Sequence, residues 1–468
     1  MGFRHLLFLS SIIVLLSINC TRLSPDHKLI EHASIIDLET GSILENQSIL
    51  IENGKISKVF ETGYISYDTN NKFDASGLFV IPGLWDMHIH LRGGEALIEE
   101  NRALLPLYIT HGVTTVRDAG GDLTPQVLKW RKEAQNNELV GPYIFTSGPK
   151  IDGVNSTWEG SLELTSVEDV SSALDSLVAL GADYVKIYDS RLSEELYLEI
   201  LKQAESRGLK TTGHMPMSVM FEDAIDAGLD GVDHLYYVMK GASSKEEEIT
   251  EQVRNGELGF WGAVRELLNS YDEEKAALLF QKMAENNVAV VPTLYIDDIL
   301  SYLHEVDHSD DEMLQFIGEG IQETYARRLN SALRRNDAAN AFEATMNEHF
   351  KAMVPPMHEA GIMILPGSDN GAYNSYVYAG HSLHKELEVI VSTGISEIET
   401  LRMATQNGPK FFGVMNQYGS IEAMKEADLL FLNENPLEQI KHTQSIEWVM
   451  LNGEIFTRTE LDQVLQEL

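Results

Sequence analysis

The chain has 468 residues, one cysteine, and 35 basic against 72 acidic residues, a formal net charge of −37. A lone cysteine excludes a disulfide-stapled scaffold. The acidic balance argues against nucleic acid as a partner, and 43% apolar residues argue against disorder. The length suits one large barrel-type domain or two or three smaller ones.

The first segment reads as a leader. Arg4 and His5 precede an apolar run over residues 6–16, and the string LLSINC ends on Cys20. The run is shorter than the roughly 20 residues of a spanning helix and fits the apolar core of a secretory signal. Residues 1–19 are expected to be a signal peptide, Cys20 the lipidated residue of a bacterial lipoprotein, and residues 20–28 a tether. The match is loose, with Leu16 one place early and Asn19 where a small residue is usual. An ordinary signal peptide cut elsewhere is the plainer alternative. The lipoprotein reading places the protein in the cell envelope, anchored to a membrane and facing the periplasm or cell surface.

Residues 29–80 hold short alternating runs, among them QSILIENGKISKVF and GLFVIPG. Asn53-Gly54 sits between two of them, and a tight hairpin turn needs positive φ at both central positions. Residues 411–468 repeat the pattern in ADLLFLNENP and IEWVMLNGEIF, with a second Asn-Gly at 452–453. The two ends are expected to pair into a small β-sandwich, the alternative being two unrelated hairpins. Between them, residues 81–410 alternate apolar strands with helical patterns. The strands, at 79–90, 113–118, 143–147, 184–188, 209–214, 232–234, 288–294 and 362–368, predict an α/β fold, a (β/α)8 TIM barrel. Residues 240–360 carry more helix than a barrel repeat needs and read as helical insertions, their acidity mostly a solvated face.

Candidate chemistry lies at the strand ends. His88 and His90 are two apart, so on a strand they face the same way and could hold one metal. Alternatively they are half-exposed strand histidines. Lys186 sits inside an apolar strand, where a bare ammonium is costly. It needs a partner such as Asp118 or Asp369, or conversion by carbon dioxide to a carbamate able to bridge two metals. His214 and His234 each end a strand and could donate to zinc or simply pack. Asp369, in LPGSDNG, could ligate a metal and accept a proton, or cap a helix.

In this order, HxH, Lys, His, His, Asp, the sequence resembles the amidohydrolase superfamily, in its imidazolonepropionase-like and Xaa-Pro-dipeptidase-like branch. The phrases ILIENGKI, VIPGLWDMHIH, VTTVRDAG, VKIY, GHMP, LPGSD, LHKELE and GSIEAMKEADLLFLNENPL carry the likeness across residues 30–457. Two places depart from the family's phrases: Ala423-Met424-Lys425 after GSIE, and Val232-Asp233-His234 where Ile-Glu-His is usual. The resemblance implies two divalent metal ions, zinc suiting the ligands best. His88, His90 and Asp369 would hold one, His214 and His234 the other, and a carbamate on Lys186 would bridge them. It further implies that Asp369 is the catalytic proton carrier, working with a metal-activated bridging hydroxide. The substrate would be a small molecule with a C–N amide bond, a dipeptide such as Xaa-Pro or a non-peptide or cyclic amide.

Trp158, Tyr188, Tyr236, Tyr237, Tyr295, His381 and His384 are candidate substrate contacts, with plain packing an equal reading for each tyrosine. Arg117 is expected to pair with Asp118 or another acid. Two alternatives stand beside the hydrolase: a mononuclear deaminase or imidazolone-ring hydrolase, which has no need of Lys186, and a surface-anchored binding lipoprotein without catalysis.

Overall fold

The computed structural model describes residues 21–22, 27–65, 67–69 and 71–468. The leader, Cys20 and part of the tether lie outside them. The fold is a (β/α)8 barrel joined to a β-sandwich built from both chain ends. Leu84–Ile89, Val113–Asp118 and Tyr143–Thr146 pair in parallel. The Asp183 amide donates to the Thr146 carbonyl and leads into Val185–Ile187, which pairs with Thr211–Gly213. Gly231–Asp233 pairs with Ala289–Val291, and residues 362–370 return to the first strand. There the Met87 amide donates to the Pro366 carbonyl and the Asp369 amide to the His88 carbonyl (2.9 and 2.7 Å). Between the fifth and sixth strands the Thr211 amide donates to the Asp230 carboxylate and the Thr212 hydroxyl to the Asp233 carboxylate.

The sandwich is one continuous sheet. Its order is Glu454–Thr457, Ile446–Leu451, Leu429–Leu432, Phe79–Pro82, Lys28–Ile36, Ile43–Glu52 and Lys55–Glu61, with Lys72–Asp74 also on Lys28–Ile36. Both Asn-Gly turns have the expected left-handed pairs, φ 53° and 76° at Asn53-Gly54 and φ 50° and 77° at Asn452-Gly453. They also touch each other. A Cβ on Gly453 would sit 2.8 Å from the Gly54 Cα, so the sheet folds over a core of Ile30, Ile49, Ile51, Ile56, Val80, Phe431 and Met450. The two ends are therefore one structure, not separate hairpins.

The expected strand 79–90 is two strands. Phe79–Pro82 belongs to the sandwich and Leu84–Ile89 to the barrel. Gly83 turns the chain between them, its amide on the Asp428 carbonyl and its Cα so close to the next strand that a Cβ would lie 2.9 Å from Thr114 Cβ. Two short strands that the sequence reading lacked, Ile151–Gly153 and Leu162–Leu164, lie in the loop after the third strand and extend the sheet beside Ile187. The insertions are helical as expected. Glu246–Arg254, Phe260–Asn269 and Glu273–Glu285 follow the sixth strand, and Leu294–Tyr302, Glu319–Leu333 and Asp337–Glu359 follow the seventh.

Candidate metal centre

The barrel brings all six expected groups to the C-terminal ends of its strands, where sites of this architecture form. His88 and His90 alternate on the first strand as the two-residue spacing requires, with ring centroids 5.1 Å apart. His234 lies 5.1 Å from His88, and His214 lies 5.0 Å from His234. Asp369 Oδ1 is 3.1 Å from His90 Nε2 and 3.4 Å from His88 Nε2. His88, His90 and Asp369 form a compact buried triad.

Three of the four imidazoles are oriented from behind. His234 Nδ1 meets Thr293 Oγ1 at 2.7 Å, His214 Nδ1 meets Asp189 Oδ1 at 3.1 Å, and His90 Nδ1 faces the Gly120 carbonyl at 3.4 Å. Such partners fix a ring and its tautomer and present Nε2 to a metal. Burial holds His88 at about 3 and keeps His90 and His234 well below the usual imidazole range. They are therefore neutral, the form that ligates. His88 Nε2 is buried and makes no hydrogen bond among the described residues. A buried imidazole nitrogen without a hydrogen bond, beside a carboxylate and two further imidazoles, fits a divalent metal.

The strand ends are shaped for this. His234 and Asp369 have φ of 68° and 56°, left-handed values that non-glycine residues rarely adopt and that cluster at functional sites. Asp369 is placed by its neighbours. Buried Asp86 accepts from the Ser368 amide and hydroxyl (2.9 and 2.6 Å), and Asn374 Nδ2 donates to Asp369 Oδ1 at 2.8 Å.

Lys186 is buried, as expected, but its partner is Asp233, not Asp118 or Asp369. Asp233 Oδ1 also accepts from Arg117 Nη2 at 2.7 Å and Thr212 Oγ1 at 3.0 Å, and lies 3.6 Å from His88 Nδ1. Arg117 thus pairs with Asp233 rather than Asp118. Burial alone would raise the Asp233 carboxyl, but Arg117 and Lys186 beside it hold it well below the carboxylate range. Burial lowers the Lys186 ammonium despite that partner. Asp233 is the central residue that the sequence reading did not single out. Its signal was there: two cations on apolar strands, Arg117 and Lys186, require a buried acid.

The expected substrate contacts divide. Tyr188 lies 4.3 Å from the His214 ring and tilted 32° to it, Tyr237 lies 5.5 Å from it with its hydroxyl on Asp189, and Trp158 meets Tyr188 edge-on at 6.3 Å. Tyr188 and Tyr237 border the centre, and Trp158 reaches it only through Tyr188. Tyr236 packs in an aromatic group with Phe260, Trp261 and Phe350 and lines a separate cavity of about 370 Å³. His384 is a correction: its ring nitrogens meet Thr443 Oγ1 and the His111 carbonyl, both at 2.8 Å, so it packs a barrel helix. His381 lies with it, 5.8 Å from the His111 ring. Tyr295 starts a helix whose first amides rest on Glu386, and among the described residues no ring contact joins it to the four histidines.

The Amidohydrolase family profile matches residues 79–456, and the chain belongs to that family. Within it, a dihydroorotase from Geobacter metallireducens is 30% identical over 189 residues, 40% of this chain and 42% of that protein. The chain thus matches less than half the length of that relative. Among solved structures, the bottromycin amidohydrolase superposes with a TM-score of 0.74 at 20% identity, covering 94% of this chain and 89% of the other. A Xaa-Pro dipeptidase with methionine bound in its active site gives 0.66 at 21% identity, covering 92% and 100%.

Proposed function

We propose that the protein is a metal-dependent hydrolase that cleaves a C–N amide bond of a small molecule, with dipeptides such as Xaa-Pro favoured over cyclic and other non-peptide amides. The observation that carries this is the convergence of four imidazoles, Lys186 and Asp369 at one barrel end, with His88 Nε2 buried beside Asp369 and without a hydrogen bond among the described residues. His88, His90 and Asp369 would hold one divalent ion, and His214 and His234 a second, with a carbamate on Lys186 between them. Imidazole and carboxylate donors suit zinc best. Bound there, such ions lower the pKa of water to near neutrality and polarise a carbonyl.

The chain's own residues supply the rest. Asn374 fixes Asp369 Oδ1, so Oδ2 is the oxygen that takes a proton from the attacking water and returns it to the leaving nitrogen. Burial favours the neutral amine of Lys186, the form that adds to carbon dioxide. Asp233, itself held by Arg117, is the partner that the amine leaves when it takes up carbon dioxide. Tyr188 and Tyr237 wall the His214 side and narrow the access of water. We also propose export and lipid anchoring through Cys20, on the string LLSINC.

The test is a screen of the metal-loaded protein against dipeptides and cyclic amides. Turnover of at least one class is expected, slowed about 100-fold or more by Asp369→Asn with the fold retained. A full metal complement without turnover across the panel would favour a binding protein.

A further inference from the structure

We propose that a carboxylate of the substrate docks in a second pocket adjoining the metal centre, held by Lys150, Arg92 and Arg327 beside the face of Trp158. The inference rests on the hydrolase reading and narrows its substrates to anionic amides, such as dipeptides or N-acyl amino acids with a free carboxylate.

The pocket is a cavity of about 260 Å³, lined by Arg92, Lys150, Trp158, Arg327 and Tyr373 among others. The Arg92 guanidinium lies 4.1 Å from the Trp158 ring centroid and Lys150 Nζ 5.6 Å from the same ring. Both cations are buried, at 4% and 2% exposure. Arg92 Nε donates to the Ala372 carbonyl at 3.0 Å and Lys150 Nζ to the Gly120 carbonyl at 2.7 Å. Among the described residues neither makes an ion pair with a carboxylate. Asp122 and Glu159 also line the cavity, but Asp122 is held on the Gly93 amide at 3.0 Å and Glu159 is exposed. Asp118, Asp122 and Asp369 act on these cations only from beyond ion-pair distance, and two adjacent buried cations without a directly bonded acid are costly to a fold. Burial, and then the neighbouring Arg92, push Lys150 well below its usual range. An arriving anion would relieve both penalties. A planar carboxylate matches a guanidinium fork, and the cavity has room for a small carboxylated fragment.

Its position ties it to the chemistry. The Gly120 carbonyl that accepts from Lys150 also faces His90 Nδ1 at 3.4 Å. The pocket and the metal centre therefore share one backbone group. Gly120 has φ 79°, and a Cβ there would meet the Gly148 carbonyl oxygen at 2.8 Å and Lys150 Cγ at 3.1 Å. Only glycine allows Lys150 so close. Arg92 follows His90 by two residues and reaches the pocket from the same strand end. Arg327 is exposed at the mouth.

The test compares N-acetyl-L-alanine with N-acetyl-L-alaninamide, with binding to the full metal-loaded chain read by tryptophan fluorescence. The acid is expected to bind at least about tenfold more tightly than the amide. Lys150→Met should remove most of that difference and Arg327→Met a smaller part. Equal affinity for acid and amide overturns the proposal, as does a preference that survives both substitutions. If Lys150→Met fails to fold, the comparison in wild type and in Arg327→Met still decides. The readout is binding, so the two readings fail separately. Tight, Lys150-dependent binding of the acid without cleavage of any amide overturns the hydrolase and supports the pocket. Cleavage of both compounds with equal kcat/KM overturns the pocket and leaves the hydrolase.

Discussion

Replacing Asp233 should injure the barrel more than any other single loss of a charge. Its carboxylate accepts from Arg117, Lys186 and Thr212, and the three ionic side chains are at most 1% exposed. In the metal-free chain Asp233→Ala leaves two cations buried without their shared acid, and Arg117 keeps only Thr212 Oγ1 at 3.2 Å and a long contact of 3.4 Å with His88 Nδ1. Breaking a buried pair from one side costs about 3–5 kcal/mol, so a loss of at least about 3 kcal/mol is expected. Asp233→Asn keeps the shape and should lose less. The assay is equilibrium urea unfolding, followed by circular dichroism and tryptophan fluorescence together. Pairing Asp233→Ala with Arg117→Met should recover part of the loss, because removing the second partner removes a stranded charge; the coupling should exceed about 1 kcal/mol. A loss below about 1 kcal/mol for Asp233→Ala, or strict additivity of the pair, would refute the reasoning.

Other predictions concern single positions. Lys186→Ala should lose most amide-cleaving activity, with acetate or propionate partly restoring it; unimpaired turnover in the variant would remove the carbamate. Gly83→Val should destabilise by about 1–3 kcal/mol through overlap with Thr114, and an unchanged urea midpoint would contradict the packing at that turn. Cys20→Ala should move the protein from the membrane to the soluble fraction of cells, and retention in the membrane would contradict lipid anchoring.

Much of this architecture was legible in the chain because its signals are local. His88 and His90 could be placed on one face because alternation along a strand is unavoidable, and Asn53-Gly54 and Asn452-Gly453 could be read as tight turns because few other dipeptides accept their φ values. What escaped depends on contacts between distant strands. Asp233 stands next to His234, and alternation alone would turn it away from that ligand; only its meeting with Arg117 and Lys186 gives it a role. Lys150 follows Gly148-Pro149 and reads as a solvated loop lysine until the Trp158 loop folds over it. His384 follows the last strand, as a pocket residue would, yet that face of its helix meets His111 and Thr443. The break at Gly83 was available in Pro82-Gly83, a turn signal hidden inside a long apolar run.

The central claim is that His88, His90, Lys186, His214, His234 and Asp369 gather around paired divalent ions. Its most direct test is anomalous diffraction from crystals of zinc-loaded protein, with metal content measured on the same sample. The account predicts two equivalents per chain, two peaks about 3.5–4 Å apart, and density for a carboxylate on Lys186 between them. One equivalent at His88, His90 and Asp369, with Lys186 still paired to Asp233, would contradict it.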